Sequence, residues 1–556
     1  VGLHFQLMVV GLTMFKHSLM VSMVILLTAC GGGGGSSGNT GGGSGSGGGS
    51  GVTPPTWTAG VFPAESNFKN YCATPRTGTD PYNNNQPYPD RAGTSMHEKM
   101  WLRSWSNNTY LWYRELPDNN PANFGSVLAF FEQLKTDELT DSGAEKDNFH
   151  FAQSTASYQQ RTQSGVSSGY GITWSFGSTT PPRSLIVAYT EPDSPAANAN
   201  IFRGADLLEV DGIDFVNDNT QAGVNAINAA LFPQSAGEQH EFVFLTSTGE
   251  TLTVTMTSAN VASSPVQNVQ VLDTAAGNVG YLQFNSHIAL AQPQLIAAVN
   301  RFANANVTDV VLDLRYNGGG LLALASQFAY MVSGDAIIQD RIFERTIFND
   351  KHPNRNPVTG QTLSPMPFYG FEIDYEAGRL TSTPLPELNL NRIFVLSTGD
   401  TCSASEAFIN GLRGIDVEVI LIGDQTCGKP YGFYPTDNCG TTYFTIQFSG
   451  ANAKGFGEYA DGFYPTPMPV FDADVQGCQV ADDFSAPLGN PAERMLASAL
   501  YYAANNNCPI AAAAQSVRRQ QRSSDDSGLS IQRRDPRMQA FLLENKLNQP
   551  IKPAQE

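Results

Sequence analysis

The chain has 556 residues, which is too long for a single hydrophobic core and predicts two or three domains. Its apolar content of 41% is typical of a folded globular protein. Its net charge of −19 argues against a nucleic-acid-binding protein, because phosphate recognition needs clustered Lys and Arg.

Residues 14–30 have the pattern of an export signal. A short basic stretch precedes the apolar run Leu19–Leu27, which is too short to span a membrane comfortably and ends in the sequence LTAC. This ending resembles a bacterial lipobox. We therefore expect residues 1–29 to be a lipoprotein signal peptide and Cys30 to carry the acyl chains of a membrane anchor. Because Gly31 and not Asp follows, sorting by analogy favours the outer membrane of a cell envelope, facing the periplasm or the cell surface. The alternative is a cleaved secretory signal with an incidental cysteine.

Six further cysteines follow Cys30: Cys72, Cys402, Cys427, Cys439, Cys478 and Cys508. An exported chain meets an oxidising compartment, and an even number permits complete disulfide pairing. Since no CxxC spacing occurs, we predict no metal site. We expect Cys427 to pair with Cys402 or Cys439, and we favour Cys427–Cys439.

Two successive segments are predicted after the signal peptide. Residues 30–56 predict a flexible tether, because Gly31–Gly51 within them consists almost entirely of Gly and Ser. Residues 57–165 contain the aromatic-rich stretch Glu98–Arg114 and the stretch Gly125–Leu139, both with apolar residues at helical spacing. We predict a small, mainly helical domain whose aromatic residues form a core and not a ligand site.

Residues 166–262 change to short strands and glycine turns, and they resemble a PDZ domain. The resemblance rests on Gly169, Tyr170, Gly171 and Ile172 before a strand, on a short SPAA helix, and on a strand that ends in an Asp-Gly turn. In this interpretation the backbone N–H groups around Gly169–Ile172 take the C-terminal carboxylate of a peptide, and the adjoining strand edge pairs with it. The alternative is a small β domain without a ligand.

Residues 263–507 alternate apolar runs with helical stretches, which predicts an α/β core. The predicted strands are Val279–Phe284, Val307–Leu314, Arg392–Ser397 and Val417–Gly423, and the predicted helices are Leu321–Val332 and Ser405–Arg413. Residues 508–556 are polar and charged and predict a disordered tail. The fold class expected for the whole chain is therefore multidomain α+β.

Three short segments of the predicted core have the residue types of a catalytic site. They read DLRYNGGG (Asp313–Gly320), TCSASE (Thr401–Glu406) and TCGK (Thr426–Lys429). A Ser at a helix start is by default an N-cap, so Ser403 needs a base nearby to act as a nucleophile. No histidine lies in this stretch, which leaves Lys429 as the candidate. Lowering the pKa of a Lys from about 10.4 to about 7 costs roughly 4–5 kcal/mol, so such a site has to be dry.

These motifs, in this order after a PDZ-like domain, resemble the C-terminal processing, or tail-specific, serine peptidase family over about residues 165–502. The resemblance implies a crotonase-like peptidase core that needs no cofactor. It implies that Ser403 is the nucleophile and Lys429 the general base. It also implies site residues that support the reaction: an oxyanion hole made by the N–H groups of Ala404 and of Gly319 or Gly318, and bracing residues Glu406 and Thr426.

The chain departs from the family pattern beside the predicted base. Many members have a Gln four residues after the Lys, where this chain has Phe433. Gln447, on a nearby predicted strand, is a candidate substitute.

Three functions remain open at this point. The leading hypothesis is a serine endopeptidase that cleaves cell-envelope proteins after its PDZ-like domain binds their free C-terminal tails. Its partners would then be protein or peptide substrates and, through the lipid anchor, a membrane. The alternatives are a non-catalytic peptide- or ligand-binding envelope lipoprotein on the same fold, and an assembly scaffold with a degenerate site. The joint presence of Ser403 and Lys429 favours the enzyme, because a binding protein needs neither.

Overall fold

The computed structural model describes residues 52–140, 142–233, 235–275, 277–510, 528–531 and 542–543. The predicted signal peptide, Cys30 and most of the tether lie outside these residues. Among the helices of the described part, none is both long and apolar enough to cross a membrane.

The first region, up to residue 165, is built around one long helix. Its helices are α1 (Ser95–Thr109), α2 (Val127–Phe131) and α3 (Thr155–Ser164), and its short strands are β1 (Tyr71–Cys72), β2 (Thr79–Asp80), β3 (Gln86–Pro87), β4 (Arg91–Ala92) and β5 (Phe151–Ser154). Trp101 and Trp105 of α1 stack with ring centroids 5.1 Å apart in a buried cluster. The prediction that the aromatic residues here form a core is therefore confirmed.

The second predicted helix of this region is much shorter than its apolar spacing indicates. The stretch Gly125–Leu139 is helical only over α2, which begins after Ser126, whose Oγ accepts the Ala129 N–H at 3.0 Å. Beyond α2 the N–H of Thr136 donates to the Tyr110 hydroxyl at 3.0 Å. A tertiary hydrogen bond thus replaces the bond that would continue the helix, and the longer prediction is wrong.

The second region, from Val166 to Ala262, is a curled antiparallel sheet with two helices. Its elements are β6 (Val166–Gly169), β7 (Ile172–Ser178), β8 (Ser184–Thr190), α4 (Pro195–Asn198), β9 (Asp206–Val210), β10 (Ile213–Asp214), α5 (Gln221–Leu231), β11 (Gln239–Leu245), β12 (Thr251–Thr257) and β13 (Ala259–Ala262). The main sheet has the order β12-β11-β9-β8-β7, with β10 beside β9. Strand β7 is therefore an edge strand, and it begins at the last residue of the predicted peptide-binding loop.

The third region is a seven-stranded sheet in the order β14-β15-β16-β22-β23-β29-β28. These strands are β14 (Val266–Thr274), β15 (Gly277–Phe284), β16 (Asp309–Asp313), β22 (Arg392–Ser397), β23 (Glu418–Gly423), β28 (Tyr464–Thr466) and β29 (Asp474–Gln479). All neighbours are parallel except β14 and β15. The four predicted strands correspond to β15, β16, β22 and β23.

The remaining elements of this region cover the sheet or extend it. They are α6 (Ala291–Asn304), β17 (Gly320–Leu321), α7 (Leu322–Ser333), α8 (Asp335–Ile338), β18 (Ile342–Phe348), β19 (Met366–Pro367), β20 (Phe371–Asp374), β21 (Arg379–Pro384), α9 (Ala404–Gly414), β24 (Tyr431–Gly432), β25 (Thr436–Asn438), β26 (Thr441–Phe444), β27 (Phe448–Ala451), α10 (Arg494–Asn505) and β30 (Leu542–Leu543). Strand β26 pairs with β5, so the first region and the core share a small sheet.

Alternation along the central strands explains why both faces of the large sheet are buried. Leu312 of β16 packs into the cluster formed with α6, α7 and α9, whereas its neighbour Val311 packs into the cluster formed with α10. Burial on both faces is the usual state of parallel strands, and it accounts for their continuous apolar runs. The carboxyl ends of β16, β22 and β23 consequently lie side by side at one edge of the sheet.

Three disulfides join the six cysteines: Cys72–Cys439, Cys402–Cys427 and Cys478–Cys508. The favoured pairing of Cys427 with Cys439 is wrong, and the other predicted partner, Cys402, is the observed one. Cys402 and Cys427 follow neighbouring parallel strands, which places their Cα atoms 5.1 Å apart. Cys439 lies beyond β24, in the turn before β26, where it meets β1.

The prediction of a tail without structure after residue 508 also fails for two short pieces. Residues 528–531 hydrogen-bond to the second region, and Leu542–Leu543 forms β30 beside β17.

Candidate active site

The three sequence segments singled out for chemistry meet at the carboxyl edge of the large sheet. The glycine turn follows β16, the serine segment follows β22, and the lysine segment follows β23. Their contact is direct: the Cys402 N–H donates to the Asn317 carbonyl, and the Cys427 N–H donates to the Thr401 carbonyl, both at 3.0 Å. Parallel sheets place ligand sites at this edge.

Ser403 has the strained geometry of a functional residue. It lies immediately before α9 with φ 62° and ψ −116°, a backbone conformation that side-chain-bearing residues rarely adopt. Its side chain is buried, and within the described residues its hydroxyl donates to no acceptor. Its Oγ faces the Glu406 N–H of the first helical turn in a capping box, as the oxygen of an N-cap does. The proton of the Ser403 hydroxyl is therefore available for another role.

The glycine turn packs against this serine so closely that a side chain would not fit. Gly319 has φ 102°, and a Cβ built on it would lie 2.8 Å from both the Ser403 Cβ and the Ala404 nitrogen. The N–H of Gly319 donates to the Asn317 Oδ1 at 2.9 Å. Within the described residues, the N–H groups of Gly318 and Ala404 donate to no acceptor. Of the three residues predicted for an oxyanion hole, Gly318 and Ala404 thus have N–H groups available.

The Glu406 carboxylate holds the serine and lysine segments together. Its Oε2 accepts the Ser403 N–H at 2.9 Å and the Lys429 N–H at 2.8 Å. Its Oε1 accepts the Thr426 hydroxyl at 2.6 Å and the Gly428 N–H at 2.8 Å. Burial raises the pKa of Glu406, and these donors oppose that effect by stabilising the carboxylate. Both residues predicted to brace the site, Glu406 and Thr426, lie within it.

Lys429 is completely buried. Burial lowers its pKa to about 7, against the opposing attraction of the Asp147 and Glu406 carboxylates. At neutral pH a large fraction of the amine is therefore uncharged and able to take a proton.

Two aromatic rings lie against the lysine amine. The Nζ of Lys429 is 4.2 Å from the ring centroid of Phe433 and 4.7 Å from that of Phe149. Phe433 therefore contacts the amine from the position at which the family resemblance predicts a Gln. Gln447 does not replace that Gln: its side chain accepts the Tyr434 N–H at 2.8 Å and donates to Thr109 at 3.3 Å.

The sequence reasoning missed the contribution of the first region to this lysine. Asp147 is buried and accepts the Tyr110 hydroxyl at 2.7 Å and the Phe149 N–H at 2.9 Å, which fixes it near the base. No motif spacing connects residues 147–149 with the TCGK segment. The only hint in the sequence was an acidic residue, Asp147, that shortly precedes the aromatic residue Phe149.

The same edge contains one group of metal-ligand residue types within the described part of the chain. The ligand atoms of Cys402, Glu406 and Cys427 lie within 4.8 Å of one another. Because the two sulfurs form a disulfide, they offer no thiolate to a metal ion.

A cavity of about 220 Å³ joins the predicted peptide-binding loop to the glycine turn. Its lining includes Gly169, Tyr170, Gly171 and Ile172 of the loop and Gly318 of the turn. Gly171 has φ 75°, and a Cβ there would overlap the Ser194 side chain, so only glycine fits.

One acidic side chain lines this cavity and was not predicted. The Glu191 carboxylate accepts the Ser264 N–H at 2.9 Å and the Gln267 side-chain amide at 3.0 Å, and the Glu191 N–H donates to the Gly171 carbonyl at 2.7 Å. Burial raises the pKa of Glu191 to about 7. The carboxylate is thus fixed directly beside the glycine loop.

Comparison with known proteins identifies the family. The profile described as Peptidase family S41 matches residues 278–434, and the profile of the Peptidase S41 N-terminal domain matches residues 97–149. The chain is 27% identical over 239 residues to the Carboxyl-terminal-processing protease of Picosynechococcus sp. (43% of this chain, 49% of the relative). It is 25% identical over 248 residues to Carboxyl-terminal-processing peptidase 1, chloroplastic, of Arabidopsis thaliana (43% and 42%).

The chain spans about half the length of these curated relatives. Among solved structures, a protein from Bacteroides fragilis NCTC 9343 assigned to the S41 proteases aligns with a TM-score of 0.54 and 22% identity, covering 76% of this chain and 99% of that one. This likeness shows a shared multidomain α+β fold. The two family profiles cover the core that carries Ser403 and Lys429 and the region that carries Asp147 and Phe149. Residues 97–149 and 278–434 therefore match the two profiles of peptidase family S41, and the curated relatives that the chain resembles are carboxyl-terminal-processing proteases.

Proposed function

We propose that this protein is a serine endopeptidase in which Ser403 is the nucleophile and Lys429 the general base. The observation that carries the proposal is the shared Glu406 carboxylate, which holds together a strained serine and a buried lysine. The hydroxyl of that serine donates to no acceptor among the described residues, and the lysine has a pKa of about 7. A binding protein or a scaffold has no use for this pair, and maintaining a buried Lys is costly.

In the proposed reaction, neutral Lys429 Nζ takes the proton of the Ser403 hydroxyl as Oγ attacks the peptide carbonyl carbon. The carbonyl oxygen becomes an oxyanion that accepts the N–H groups of Ala404 and Gly318, each worth about 3–4 kcal/mol to the transition state. The C–N bond then breaks, and the protonated lysine returns its proton to the leaving amine. Water, deprotonated by the same lysine, hydrolyses the acyl-serine and restores both residues.

A fluorophosphonate probe that labels activated serines tests this assignment. We expect the full chain to be labelled, and the Ser403→Ala and Lys429→Ala variants to lose both labelling and cleavage of an unfolded protein by at least about 10⁴-fold. Ser405→Ala is the matched control, because Ser405 lies in the same helical turn and its hydroxyl donates to the Asn317 carbonyl at 3.0 Å. Wild-type cleavage by a correctly folded Ser403→Ala variant would refute the proposal.

We further propose that the substrates are proteins with free C-terminal tails, which the second region binds as a PDZ domain does. Three observations support this: the glycine loop, the edge of β7 that pairs with no further strand of the described residues, and the cavity that Gly318 also lines. A peptide carboxylate bound at the glycine loop would lie in the cavity that Gly318 of the active-site turn also lines. The names of the relatives, carboxyl-terminal-processing proteases, agree with such substrates. In this proposal the large sheet and its helices form the crotonase-like peptidase core.

Amidation of the peptide C-terminus tests tail recognition. We expect the amidated peptide, and one whose terminal apolar residue is changed to Asp, to be cut more slowly than the free apolar peptide. Equal cleavage of all three would show that this region does not bind tails.

For the cellular setting we propose a lipid-anchored protein of the cell envelope, held through Cys30. The lipobox-like sequence and the three disulfides support an exported protein. Cys30→Ser should release the protein from the membrane fraction and remove the mass of the acyl chains. An unchanged fraction and mass would contradict the anchor.

A further inference from the structure

A short piece of the chain's own C-terminal segment lies beside the active-site turn. Leu542–Leu543 (β30) pairs in parallel with Gly320–Leu321 (β17), with Gly320 opposite Leu542 and Leu321 opposite Leu543. Strand β17 directly follows Gly318 and Gly319, and Gly319 packs against Ser403. The pairing is made by the backbone, so it requires an extended peptide and no particular side chain.

The same piece also lies next to the lysine segment. Strand β24 (Tyr431–Gly432) begins two residues after Lys429, and β30 packs beside it. Leu542–Leu543 is therefore flanked by the strand that continues the oxyanion turn and by the strand that continues the lysine segment. An extended peptide at this place lies beside both chain segments that carry groups proposed to act on a substrate.

A second piece of the same segment is anchored on the PDZ-like region. The Leu529 N–H donates to the Asn219 Oδ1 at 2.6 Å, and the Leu529 carbonyl accepts the Arg183 guanidinium at 2.8 Å. The Ile531 N–H donates to the carbonyl of Thr179, the residue after β7, at 3.1 Å, and the Ile531 side chain is buried in the core of that region. These contacts hold the segment on the protein eleven residues before the paired leucines.

The residues around β30 differ in character from the rest of the C-terminal segment. Residues 515–539 are rich in Arg, Asp, Ser and Gln, whereas residues 540–543 read Ala-Phe-Leu-Leu. An apolar tetrapeptide in a polar segment resembles the apolar tails that the proposed peptidase would bind. Its covalent attachment raises its effective concentration at the cleft far above that of a free peptide.

We propose that the C-terminal segment is an intramolecular ligand of the active-site cleft, in which Leu542–Leu543 occupies the strand position that an extended peptide substrate needs. The inference rests on the proposed peptidase function, because it places the segment in the cleft of that activity. Substrate then enters only when Leu542–Leu543 leaves β17, so the segment acts as a competitive inhibitor built into the chain.

Proline substitution in the full chain tests the pairing, because proline removes the backbone N–H that a paired strand donates. The variant carries Leu542→Pro with Leu543→Pro, and the control carries Lys546→Pro with Leu547→Pro, outside the paired residues. With an internally quenched peptide substrate, we expect the first variant to lower KM several-fold without changing kcat, and the control to keep the wild-type KM. Equal KM values for wild type and both variants would overturn the inference.

A binding measurement separates this inference from the proposed function. A fluorescent peptide with the sequence of residues 536–548 is titrated into the Ser403→Ala chain with and without the two prolines at 542 and 543. We expect several-fold tighter binding when the prolines are present, because they vacate the cleft. Equal binding, or none, would overturn the inference even if the chain that keeps Ser403 were an active peptidase. Tighter binding to the proline variant, together with no cleavage by the chain that keeps Ser403, would keep the inference and reject the peptidase proposal.

Discussion

Ser403 and Lys429 donate their backbone N–H groups to the same oxygen atom, Oε2 of Glu406, at 2.9 and 2.8 Å. The proposed nucleophile and the proposed base lie on different loops, at the ends of β22 and β23. Because one buried carboxylate fixes both loops, a displacement of that carboxylate changes the geometry of the pair. Glu406 is thus a positioning residue for the proposed reaction.

Replacing Glu406 with Gln tests this positioning role. One carboxylate oxygen becomes an amide N–H₂ that faces backbone N–H donors, so at least one buried donor loses its acceptor. We expect the free energy of unfolding to fall by about 1–3 kcal/mol and kcat to fall by on the order of 10²-fold. Urea denaturation and steady-state kinetics measure the two effects. Ser405→Ala is the control, because it loses one hydrogen bond in the same helical turn, and its kcat should stay within about tenfold of wild type. Equal losses of kcat in Glu406→Gln and Ser405→Ala would contradict a specific role for Glu406.

The pH dependence of cleavage tests Lys429 as the base. A base has to be uncharged, and its pKa is lowered to about 7, so kcat/KM should rise as the pH passes through about 7. The Asp147 carboxylate favours the charged amine. Asp147→Asn removes that attraction, so the rise should move to lower pH. A rise at the same pH in Asp147→Asn and wild type would show that Asp147 does not act on this lysine.

Much of the core was predictable from the sequence because its strands are buried on both faces. In the predicted strand Arg392–Ser397, the four inner residues Ile393–Leu396 are all apolar and only the two end residues are polar. The observed strand β22 has the same bounds as the predicted one. The motifs after β16, β22 and β23 could be placed together, because parallel strands bring their carboxyl ends to one edge. Local pattern and tertiary structure agree in this part of the chain.

The features that sequence reasoning missed depend on contacts between distant segments. The approach of Phe149 to Lys429 is set by the packing of the first region on the core, which leaves no periodic signal. The Cys402–Cys427 pairing follows from the neighbouring positions of β22 and β23, which the sequence does not state. The strand at Leu542–Leu543 is two residues long and takes its structure from pairing with β17.

The Cys402–Cys427 disulfide gives a third prediction, for which the chain contains a matched control. This bond and Cys478–Cys508 close loops of similar length, with sequence separations of 25 and 30. Loop closure predicts that each contributes about 3–4 kcal/mol to stability. Replacing either pair with two alanines should therefore lower the free energy of unfolding by similar amounts.

Only the first pair joins the serine segment to the lysine segment, so the two double variants should differ in activity. We expect Cys402→Ala with Cys427→Ala to lower kcat by about tenfold or more at a temperature where both variants remain folded, and Cys478→Ala with Cys508→Ala to leave it near wild type. Circular dichroism establishes the folded state. Equal kcat values in the two variants would show that the disulfide near the site only stabilises the fold.

The carboxylate of Glu191 gives the last prediction, which concerns tail recognition. It lines the cavity beside the glycine loop, and its pKa is raised to about 7. Below that pH the group is neutral and does not repel the carboxylate of a bound peptide, whereas above it the group is ionised and does. The affinity for a peptide with a free C-terminus should therefore fall by about tenfold as the pH rises from about 6 to about 8.

Fluorescence anisotropy with the Ser403→Ala protein measures binding without cleavage. Glu191→Gln should abolish the pH dependence, and the exposed Glu250→Gln in the same region should retain it. An amidated peptide should bind with little pH dependence, because it brings no charge to the cavity. A free peptide whose affinity is the same across this pH range would show that its carboxylate is not bound near Glu191.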